Sequence, residues 1–344
     1  MPGTDRNRTG RRGALLALVA LAGALVLAGC QSSGTATQHR AAGTTAASHS
    51  SAPATPTGPR KGSGTPVHVR TFEGDGQTYG VGMPIIAYFS EKVTDPSVFD
   101  KVVKVTVNGQ PADGAWFWEH SSVSSEAMEA HYRLPDYWPA HSSIHVSMPL
   151  EGLWAGEGLV FDNDLSLDMS IGAAQIAKVD GTPGIDTMTI TSDGQPVKTL
   201  KVSLGKADTP TYLGTAVVMA KSNPEEMKSD PGEAHPYDIE VPWSVRVTDS
   251  GEFIHDAYWN GSLGQANLSH GCTNLSPADA QWYYGFDQVG DPVTWVNTGT
   301  DKTIPVTDGW GDWNVDWATW SQGGLLQNTT SASASGAAQT SPNQ

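Results

Sequence analysis

Cysteine is almost absent from this sequence. Only Cys30 and Cys272 occur among 344 residues, so a disulfide-rich scaffold is excluded and at most one disulfide can form. Basic residues are also scarce, since 20 Lys and Arg stand against 36 Asp and Glu and give a formal net charge of -16. This acidic balance argues against nucleic acid or anionic lipid as a partner.

A hydrophobic run of the roughly 20 residues that a membrane-spanning helix needs is also missing. The nearest approach is residues 13–28, which are uncharged, rich in Ala, Leu and Val, and preceded by arginines. This arrangement is typical of a secretory signal, and we expect residues 1–29 to be removed. Its end, Leu27-Ala28-Gly29-Cys30, resembles a bacterial lipobox, which would make Cys30 a lipidated N-terminus that anchors the chain to the membrane. The alternative is an ordinary signal with an incidental cysteine.

Lipidation of Cys30 would leave Cys272 unpaired outside the cytoplasm, where idle thiols are a liability. A thiol retained there is more typical of a nucleophile than of a packing residue. Because a free thiol has a pKa of about 8.5, it needs a base that takes its proton. Two histidines qualify: His270, just before the thiol, and His255, in a short apolar run that we interpret as a strand. Spacing alone does not choose between them.

The body of the chain is predicted to be mainly β. Residues 30–65 are rich in Ser, Thr, Ala, Gly and Pro and are expected to form a lipidated, flexible linker. Residues 66–172 contain short apolar runs separated by turn signals such as Asn108-Gly109, a pattern typical of a sandwich. We find no catalytic cluster in this stretch, and a spacer that packs on the next domain is favoured over a binding module.

A second domain is predicted over residues 173–300, with strand-like runs and a hairpin at Ser192-Asp193-Gly194-Gln195. Between residues 221 and 236 the chain is polar and lacks apolar periodicity, which predicts either a disordered insertion or a lid over a cleft. Beyond Cys272, the run Ser276-Pro277-Ala278-Asp279 is a strong helix start, and the helix is expected to reach about Tyr284.

A tryptophan-rich segment follows at residues 301–322. Spacings of three, four and three residues place its tryptophans on one face of a predicted helix: Trp310, Trp313, Trp317 and Trp320. We expect this face to dock on the second, catalytic domain, and stacking on sugars is the alternative. Residues 323–344 are of low complexity and are predicted to be disordered.

The motif around Cys272 is specific. His255 followed by Ser269-His270-Gly271-Cys272-Thr273-Asn274 resembles the signature of the YkuD-type L,D-transpeptidases, and the similarity covers roughly residues 66–320. The pattern is similar to the actinobacterial lipoprotein branch, in which an immunoglobulin-like domain precedes the catalytic domain. The resemblance implies a mainly β enzyme that crosslinks peptidoglycan stem peptides through a thioester on Cys272. It also implies covalent capture by a carbapenem, no cofactor, no metal and a monomer.

The resemblance also assigns roles within the motif. Cys272 is the nucleophile and His255 the general base, while His270 shapes the pocket by hydrogen bonding. Gly271 lets the backbone approach the acyl carbon closely. Backbone N–H groups near Cys272 are the expected oxyanion donors.

Four further residues are expected to contact substrate: Tyr237, Ser269, Thr273 and Asn274. Of these, Tyr237 would cover the substrate as lid tyrosines do in the family, and Ser269 and Asn274 would hold the loop in shape. Asp256 departs from the family pattern, in which a small residue often follows the histidine. Its carboxylate would either raise the pKa of His255 or face solvent.

Three alternatives compete with transpeptidation. A zinc site could use His255, His270, Cys272 and His235, but these spacings match no common zinc site. Hydrolysis of the same acyl-enzyme would make the chain an L,D-carboxypeptidase. A non-catalytic wall-binding lipoprotein would keep the fold, but it would have no use for the intact pair of His255 and Cys272.

Overall fold

The computed structural model describes residues 59–229 and 236–326. These residues form mainly β-strands with a few short helices, which confirms the predicted fold class. The predicted signal, Cys30 and His235 lie outside the described residues. Within the described ranges, no helix is long and apolar enough to cross a membrane.

The first part of the described chain is a sandwich. In chain order its elements are β1 (Thr65–Val67), β2 (Val69–Thr71), β3 (Thr78–Tyr79), β4 (Ile85–Phe89), α1 (Ser97–Val102), β5 (Lys104–Val107), β6 (Gln110–Pro111), β7 (Ala115–Glu119), β8 (Met128–Arg133), β9 (Ser143–Met148), β10 (Trp154–Gly156), β11 (Leu159–Phe161) and β12 (Leu165–Ile171). The strands form three sheets with the orders β2-β4-β8-β7, β3-β12-β9-β5-β6 and β1-β11-β10, and the two larger sheets contribute to one apolar core.

Alternation along β12 shows why the sandwich forms. Leu167, Met169 and Ile171 are buried, while the residues between them are exposed, as expected for a strand with one face on a core. At the turn between β5 and β6, Asn108 and Gly109 have φ angles of 51° and 76°. Positive φ at both central positions is the hairpin geometry that an Asn-Gly pair favours, and the predicted hairpin is confirmed.

The second part contains two larger sheets and a hairpin. The elements are β13 (Gln175–Asp180), β14 (Thr187–Ser192), β15 (Gln195–Lys201), β16 (Gly214–Val217), β17 (Ala220–Ser222), β18 (Glu225–Lys228), β19 (Asp238–Val241), β20 (Ser244–Arg246), β21 (Phe253–Asp256), β22 (Thr273–Leu275), α2 (Pro277–Phe286) and β23 (Pro292–Val296). The sheet orders are β15-β14-β13-β23-β16 and β17-β20-β21-β22, and β18 pairs with β19. Residues of both sheets and of α2 share a second apolar core.

Helix α2 begins as the sequence predicts. Ser276 caps the helix, because its Oγ accepts a hydrogen bond of 3.2 Å from the N–H of Asp279, and Pro277 occupies the first turn. The helix ends at Phe286, slightly beyond the predicted end. There Phe286 stacks on Trp282 with ring centroids 4.9 Å apart, which favours the extra residues in the last turn.

The polar segment after residue 220 is ordered wherever the structure describes it. Strand β18 pairs antiparallel with β19 and places Met227 opposite Ile239, while residues 230–235 lie outside the described residues. A disordered insertion is therefore wrong for the described part of this segment. The sequence pattern missed β18 because Met227 is its one buried residue, which leaves too few apolar positions to reveal a strand.

The tryptophan-rich segment is not a single helix. A 3-10 turn at Asp312–Asn314 is followed by Val315 in extended conformation, with φ -94° and ψ 124°, and then by the one-turn helix α3 (Trp317–Trp320). The extended residue interrupts the helical period, so the predicted single face of tryptophans is divided between two short pieces.

The surface on which this segment packs also differs from the prediction. Trp313 and Trp320 each donate Nε1–H to a backbone carbonyl of the sandwich at 2.9 Å. Asn314 instead reaches β16, where its Oδ1 accepts a hydrogen bond of 2.7 Å from the N–H of Thr215. The segment therefore contacts both domains, because its apolar rings find partners on the sandwich and its amide pairs with an edge strand of the second domain.

The chain beyond α3 lies along β7, at the edge of a sandwich sheet. The N–H of Trp118 donates to the carbonyl of Gly323 at 3.1 Å, and the N–H of Leu325 donates to the carbonyl of Trp118 at 2.8 Å. These bonds satisfy an edge that would otherwise present unpaired backbone groups. Residues 323–326, which we expected to be disordered, are therefore held in place by β7.

We expect Trp320→Ala to lower the free energy of unfolding by about 3–5 kcal/mol, because it removes a large buried ring and its hydrogen bond. Trp320 is fully buried and stacks on Phe117 with ring centroids 4.6 Å apart. Trp259→Ala is the control, since Trp259 is 48% exposed and its loss should cost under about 1 kcal/mol. Urea denaturation followed by circular dichroism measures both, and equal losses would contradict the packing role.

Candidate active site

Parallel pairing of β21 with β22 brings the predicted site together. Ile254 lies opposite Thr273, and His255 lies opposite Asn274. Because side chains alternate along a strand, Ile254 points into the core while His255 faces the other side, together with Cys272, the residue just before β22. His255 and Cys272 line the same cavity.

The loop that presents Cys272 is held by hydroxyl groups. The hydroxyl of Ser269 donates to the carbonyl of Cys272 at 2.6 Å and accepts from the N–H of Gly271 at 3.2 Å. From the other side, the hydroxyl of Thr211 donates to the carbonyl of Gly271 at 2.5 Å. Ser269 therefore bridges two residues of the loop, and its predicted contact with substrate stays a prediction. Thr211 was not foreseen, because its distance along the chain gives no local signal.

Gly271 has a backbone conformation that other residues rarely adopt. Its φ angle is +132°, whereas a Cβ at this position would meet its nearest neighbour, Oε1 of Glu252, at an ordinary 3.4 Å. The requirement for glycine is therefore conformational rather than one of space.

His255 is oriented as a neutral base. Its side chain is buried, and Nδ1 lies 2.7 Å from the backbone carbonyl of Asp256. A carbonyl only accepts hydrogen bonds, so Nδ1 carries the proton and Nε2 keeps its lone pair. Burial lowers the pKa of His255 to about 4, and the bond to the Asp256 carbonyl only partly offsets this.

Cys272 is a neutral thiol at rest. Its side chain is part-buried, and Sγ lies 3.9 Å from the carbonyl of Gly251. Burial raises the pKa of the Cys272 thiol to about 12. The N–H of Phe253 lowers this pKa in part, and the neighbouring carboxyl of Glu252 raises it further. Because the pKa of His255 is low and that of Cys272 is high, the two groups are not a preformed ion pair.

Asp256 takes neither of its two predicted roles. Its side chain is 5% exposed, so the carboxyl does not face solvent. It also does not raise the pKa of His255, because burial lowers that pKa and the contribution of Asp256 comes from its backbone. Burial instead raises the pKa of the Asp256 carboxyl itself.

His270 differs from His255 in its surroundings. Its side chain is exposed, its Nε2 lies 3.3 Å from Nζ of Lys206, and its ring centroid is 5.4 Å from that of Tyr237. A lysine ammonium is a donor, so Nε2 of His270 accepts this bond. The role of His270 in shaping the pocket stays a prediction, and His255 stays the predicted base because it is buried and bound to a carbonyl.

The remaining predicted substrate contacts divide into two kinds. Tyr237 and Asn274 line a cavity at Cys272, as does Ser269. Thr273 differs from its predicted role, because it is buried and its hydroxyl accepts a hydrogen bond of 2.9 Å from Nε1 of Trp295 in the core.

Two cavities meet at Cys272. One has a volume of about 410 Å³ and includes His255, Trp259 and Leu268 in its wall. The other has a volume of about 720 Å³ and is lined by charged side chains, among them Glu252. Cys272 lines both cavities, and so do three neighbours: Met227, Tyr237 and His270.

Comparison with known proteins agrees with this geometry. Residues 179–294 match the L,D-transpeptidase catalytic domain family YkuD, and residues 34–154 match a bacterial Ig domain family. The chain is 33% identical over 268 residues to L,D-transpeptidase 2 of Mycobacterium tuberculosis, a match that covers 75% of this chain and 63% of that protein. It therefore spans less than two thirds of that relative's length.

Two further similarities cover more of the related protein. L,D-transpeptidase 1 of Mycobacterium tuberculosis is 30% identical over 227 residues, which are 64% of this chain and 80% of that protein. The solved structure of LD transpeptidase LdtMt1 in complex with imipenem matches with a TM-score of 0.55 and 27% identity, over 66% of this chain and 97% of that one.

The pKa values predict an unusual pH profile for alkylation of Cys272. With a pKa of about 12, the thiol should react with iodoacetamide at a rate that still rises at about pH 10, whereas an ordinary cysteine levels off roughly one unit above its pKa of about 8.5. Peptide mapping by mass spectrometry isolates Cys272, and the urea-unfolded chain is the control. An alkylation rate that reaches its plateau below pH 8 would contradict a neutral thiol at Cys272 beside a neutral His255.

We expect Gly271→Ala to lower the free energy of unfolding by about 1–2 kcal/mol, because alanine at φ +132° is strained. Gly285→Ala is the matched control, since Gly285 lies in α2 with open space around it. This variant should raise the free energy of unfolding by up to about 1 kcal/mol. Urea denaturation measures both variants. An unchanged free energy of unfolding in Gly271→Ala would show that the loop does not require glycine at this position.

Proposed function

The chain belongs to the YkuD family of L,D-transpeptidases, and on that premise we propose that it crosslinks peptidoglycan stem peptides through a thioester on Cys272. The donor is a tetrapeptide stem whose terminal D-alanine leaves. The acceptor is the side-chain amine of a diamino acid on a neighbouring stem.

The observation that carries this proposal is the position of Cys272 between two cavities. Transfer between peptides requires the donor to reach the sulfur and the acceptor amine to reach the thioester carbon bound to that sulfur, from different directions. Hydrolysis requires only the donor and water. Two peptide-sized cavities with a shared thiol therefore favour transfer over hydrolysis.

Acylation uses the neutral pair. Sγ of Cys272 attacks the carbonyl carbon that precedes the terminal D-alanine, and Nε2 of His255 takes the thiol proton as the C–S bond forms. When the tetrahedral intermediate collapses, the C–N bond breaks and Nε2 returns the proton to the departing amine. The bond from Nδ1 to the Asp256 carbonyl stabilises the transient imidazolium.

Deacylation repeats these steps with the acceptor. The neutral amine attacks the thioester carbon, Nε2 of His255 takes one of its protons, and the C–S bond breaks. The departing sulfur of Cys272 then recovers a proton from Nε2, which restores the resting pair. Because burial raises the pKa of the thiol, proton return to the sulfur is favourable.

The oxyanion of each intermediate needs a backbone donor. The N–H of Gly271 is already donated to the hydroxyl of Ser269. We therefore assign the oxyanion to the N–H of Cys272, which the same hydroxyl positions by binding the Cys272 carbonyl.

The location of the reaction follows from the family and from the N-terminal sequence. A peptidoglycan transpeptidase acts outside the cytoplasm, and residues 1–29 have the pattern of a secretory signal. We propose that Cys30 is lipidated and anchors the enzyme to the outer face of the membrane, with residues 31–65 as a tether to the folded body.

Incubation with purified muropeptides tests the reaction. We expect the parent chain to convert tetrapeptide stems into crosslinked dimers that liquid chromatography and mass spectrometry detect. Tripeptide stems without dimer would identify a carboxypeptidase, and unchanged stems would identify a wall-binding protein; either result would overturn the proposal. Cys272→Ala should abolish every product.

Carbapenem capture tests the nucleophile separately. The related LdtMt1 has been solved in complex with imipenem, and we expect imipenem to add one drug-derived mass to this chain at Cys272. His255→Gln should slow the acylation roughly 10²–10⁴-fold by removing the base. His145→Gln, in the sandwich, is the matched control and should react at the parent rate. An adduct that persists in Cys272→Ala would exclude Cys272 as the nucleophile.

A further inference from the structure

Outside the two cavities at Cys272, four ionisable side chains are buried together where the C-terminal segment meets the sandwich. Glu119 comes from β7, Glu129 and His131 come from β8, and Asp312 comes from the 3-10 turn. All four are at most 4% exposed. Charged groups are rarely buried in this way unless they are paired or coordinate a metal.

The imidazole of His131 has carboxylates on both sides. Its Nδ1 lies 3.0 and 3.1 Å from the two carboxylate oxygens of Asp312 and 3.4 Å from Oε1 of Glu119. Its Nε2 lies 3.5 Å from Oε1 of Glu129. One ring nitrogen therefore faces two carboxylates, and the other faces a third.

Nε2 of His131 and the carboxylate of Glu119 are the two groups of this cluster without a hydrogen-bond partner among the described residues, and Glu119 is the carboxylate that the protein does not satisfy. Within the described residues, neither of its carboxylate oxygens has a hydrogen-bond partner, although the side chain is buried. A carboxylate oxygen of Glu119, a ring nitrogen of His131 and a carboxylate oxygen of Asp312 form a group whose atoms are all within 4.8 Å of one another. Burying a carboxylate without a hydrogen-bond partner costs several kcal/mol of folding free energy. The orientation of Glu119 toward His131 and Asp312 therefore requires an explanation.

We propose that Glu119, His131 and Asp312 bind a divalent transition-metal cation, with zinc as the best match. Zinc takes nitrogen and oxygen ligands at about 2.0–2.2 Å, which separates neighbouring ligand atoms by about 3.0–3.5 Å. The distances of 3.0 and 3.4 Å from Nδ1 to the two carboxylates fall in this range. One imidazole and two carboxylates supply three ligands, and a water molecule would take the fourth coordination position.

Glu129 completes the surroundings that such a histidine ligand needs. A histidine that binds metal through one nitrogen usually donates its other N–H to a carboxylate. Glu129 faces Nε2 of His131, and its second oxygen accepts hydrogen bonds from both hydroxyls of Ser121 and Ser122 at 3.2 and 3.0 Å. It is therefore fixed as an ionised acceptor on the side away from the cation.

The charges also balance. A divalent cation neutralises the carboxylates of Glu119 and Asp312, while His131 stays neutral. A proton on His131 would be the alternative to the metal, but it would leave Glu119 without a hydrogen-bond partner.

The site would join parts of the chain that are distant in sequence. Asp312 belongs to the segment whose Asn314 binds β16 of the second domain, whereas Glu119 and His131 lie in the sandwich. A cation there fastens this connecting segment to the sandwich without touching the catalytic thiol.

Zinc binding by the untagged, chelator-treated full chain tests the proposal. We expect equilibrium dialysis and elemental analysis to find one zinc per chain in the parent and in Cys272→Ala, which removes the thiol as a competing ligand. Glu119→Gln should weaken binding at least about 100-fold by removing a ligand charge. Glu73→Gln is the matched control, because Glu73 is equally buried but outside the ligand group, and it should change affinity less than about 3-fold.

Thermal melting separates metal binding from folding. Zinc should raise the melting temperature of the parent but not that of Glu119→Gln. In the presence of chelator, Glu119→Gln should melt no lower than the parent, because the substitution replaces a carboxyl that lacks a hydrogen-bond partner with a neutral amide. The proposal would be overturned if Cys272→Ala retained no zinc, or if Glu119→Gln retained as much zinc as the parent. The cluster would then be held together by a shared proton rather than by a metal. Neither readout depends on transpeptidase activity.

Discussion

The register between β21 and β22 is the constraint on which the active site depends. A shift of one residue would turn His255 into the core and bring Ile254 to the cavity, because side chains alternate on a strand. Several contacts oppose such a shift. Asn274 exchanges backbone hydrogen bonds of 2.8 and 3.2 Å with Ser203, and the hydroxyl of Thr273 is bound to Trp295 on the core side.

Burial gives the two reactive groups complementary properties. The same exclusion of water that lowers the pKa of His255 raises the pKa of Cys272, so neither group is charged at rest. The thiol is thereby protected from adventitious alkylation and oxidation, which attack the thiolate. In the mechanism that we propose, a substrate carbonyl held beside Sγ of Cys272 and Nε2 of His255 is needed before the proton moves.

The sequence was most informative where the signal was local or tied to a known motif. The capped start of α2 and the hairpin at Asn108-Gly109 depend on neighbouring residues, and both are confirmed. The site motif around Cys272 was identified by resemblance, and family membership is confirmed. The roles assigned to individual site residues and the domain boundaries stay predictions.

What the sequence could not reveal depends on residues far apart in the chain. Thr211 reaches Gly271 from another loop, and His131 meets Asp312 across 181 positions. Strand β18 carries one buried side chain, so its pattern is too weak to predict a strand. The tryptophans were recognised as apolar, but the spacing of residues does not specify which surface receives them.

The contact between β7 and the chain beyond α3 has a consequence for the order in which the protein matures. Trp118 exchanges backbone hydrogen bonds with Gly323 and Leu325, so the sandwich edge is closed by residues that the ribosome adds after both domains have been synthesised. A nascent or partly exported chain therefore holds an open strand edge, which is the part of a sheet most prone to pair with other chains. Residues 323–325 therefore complete the sandwich edge last, and a chain cut short before them would keep the motif around Cys272 but leave this edge of β7 unpaired.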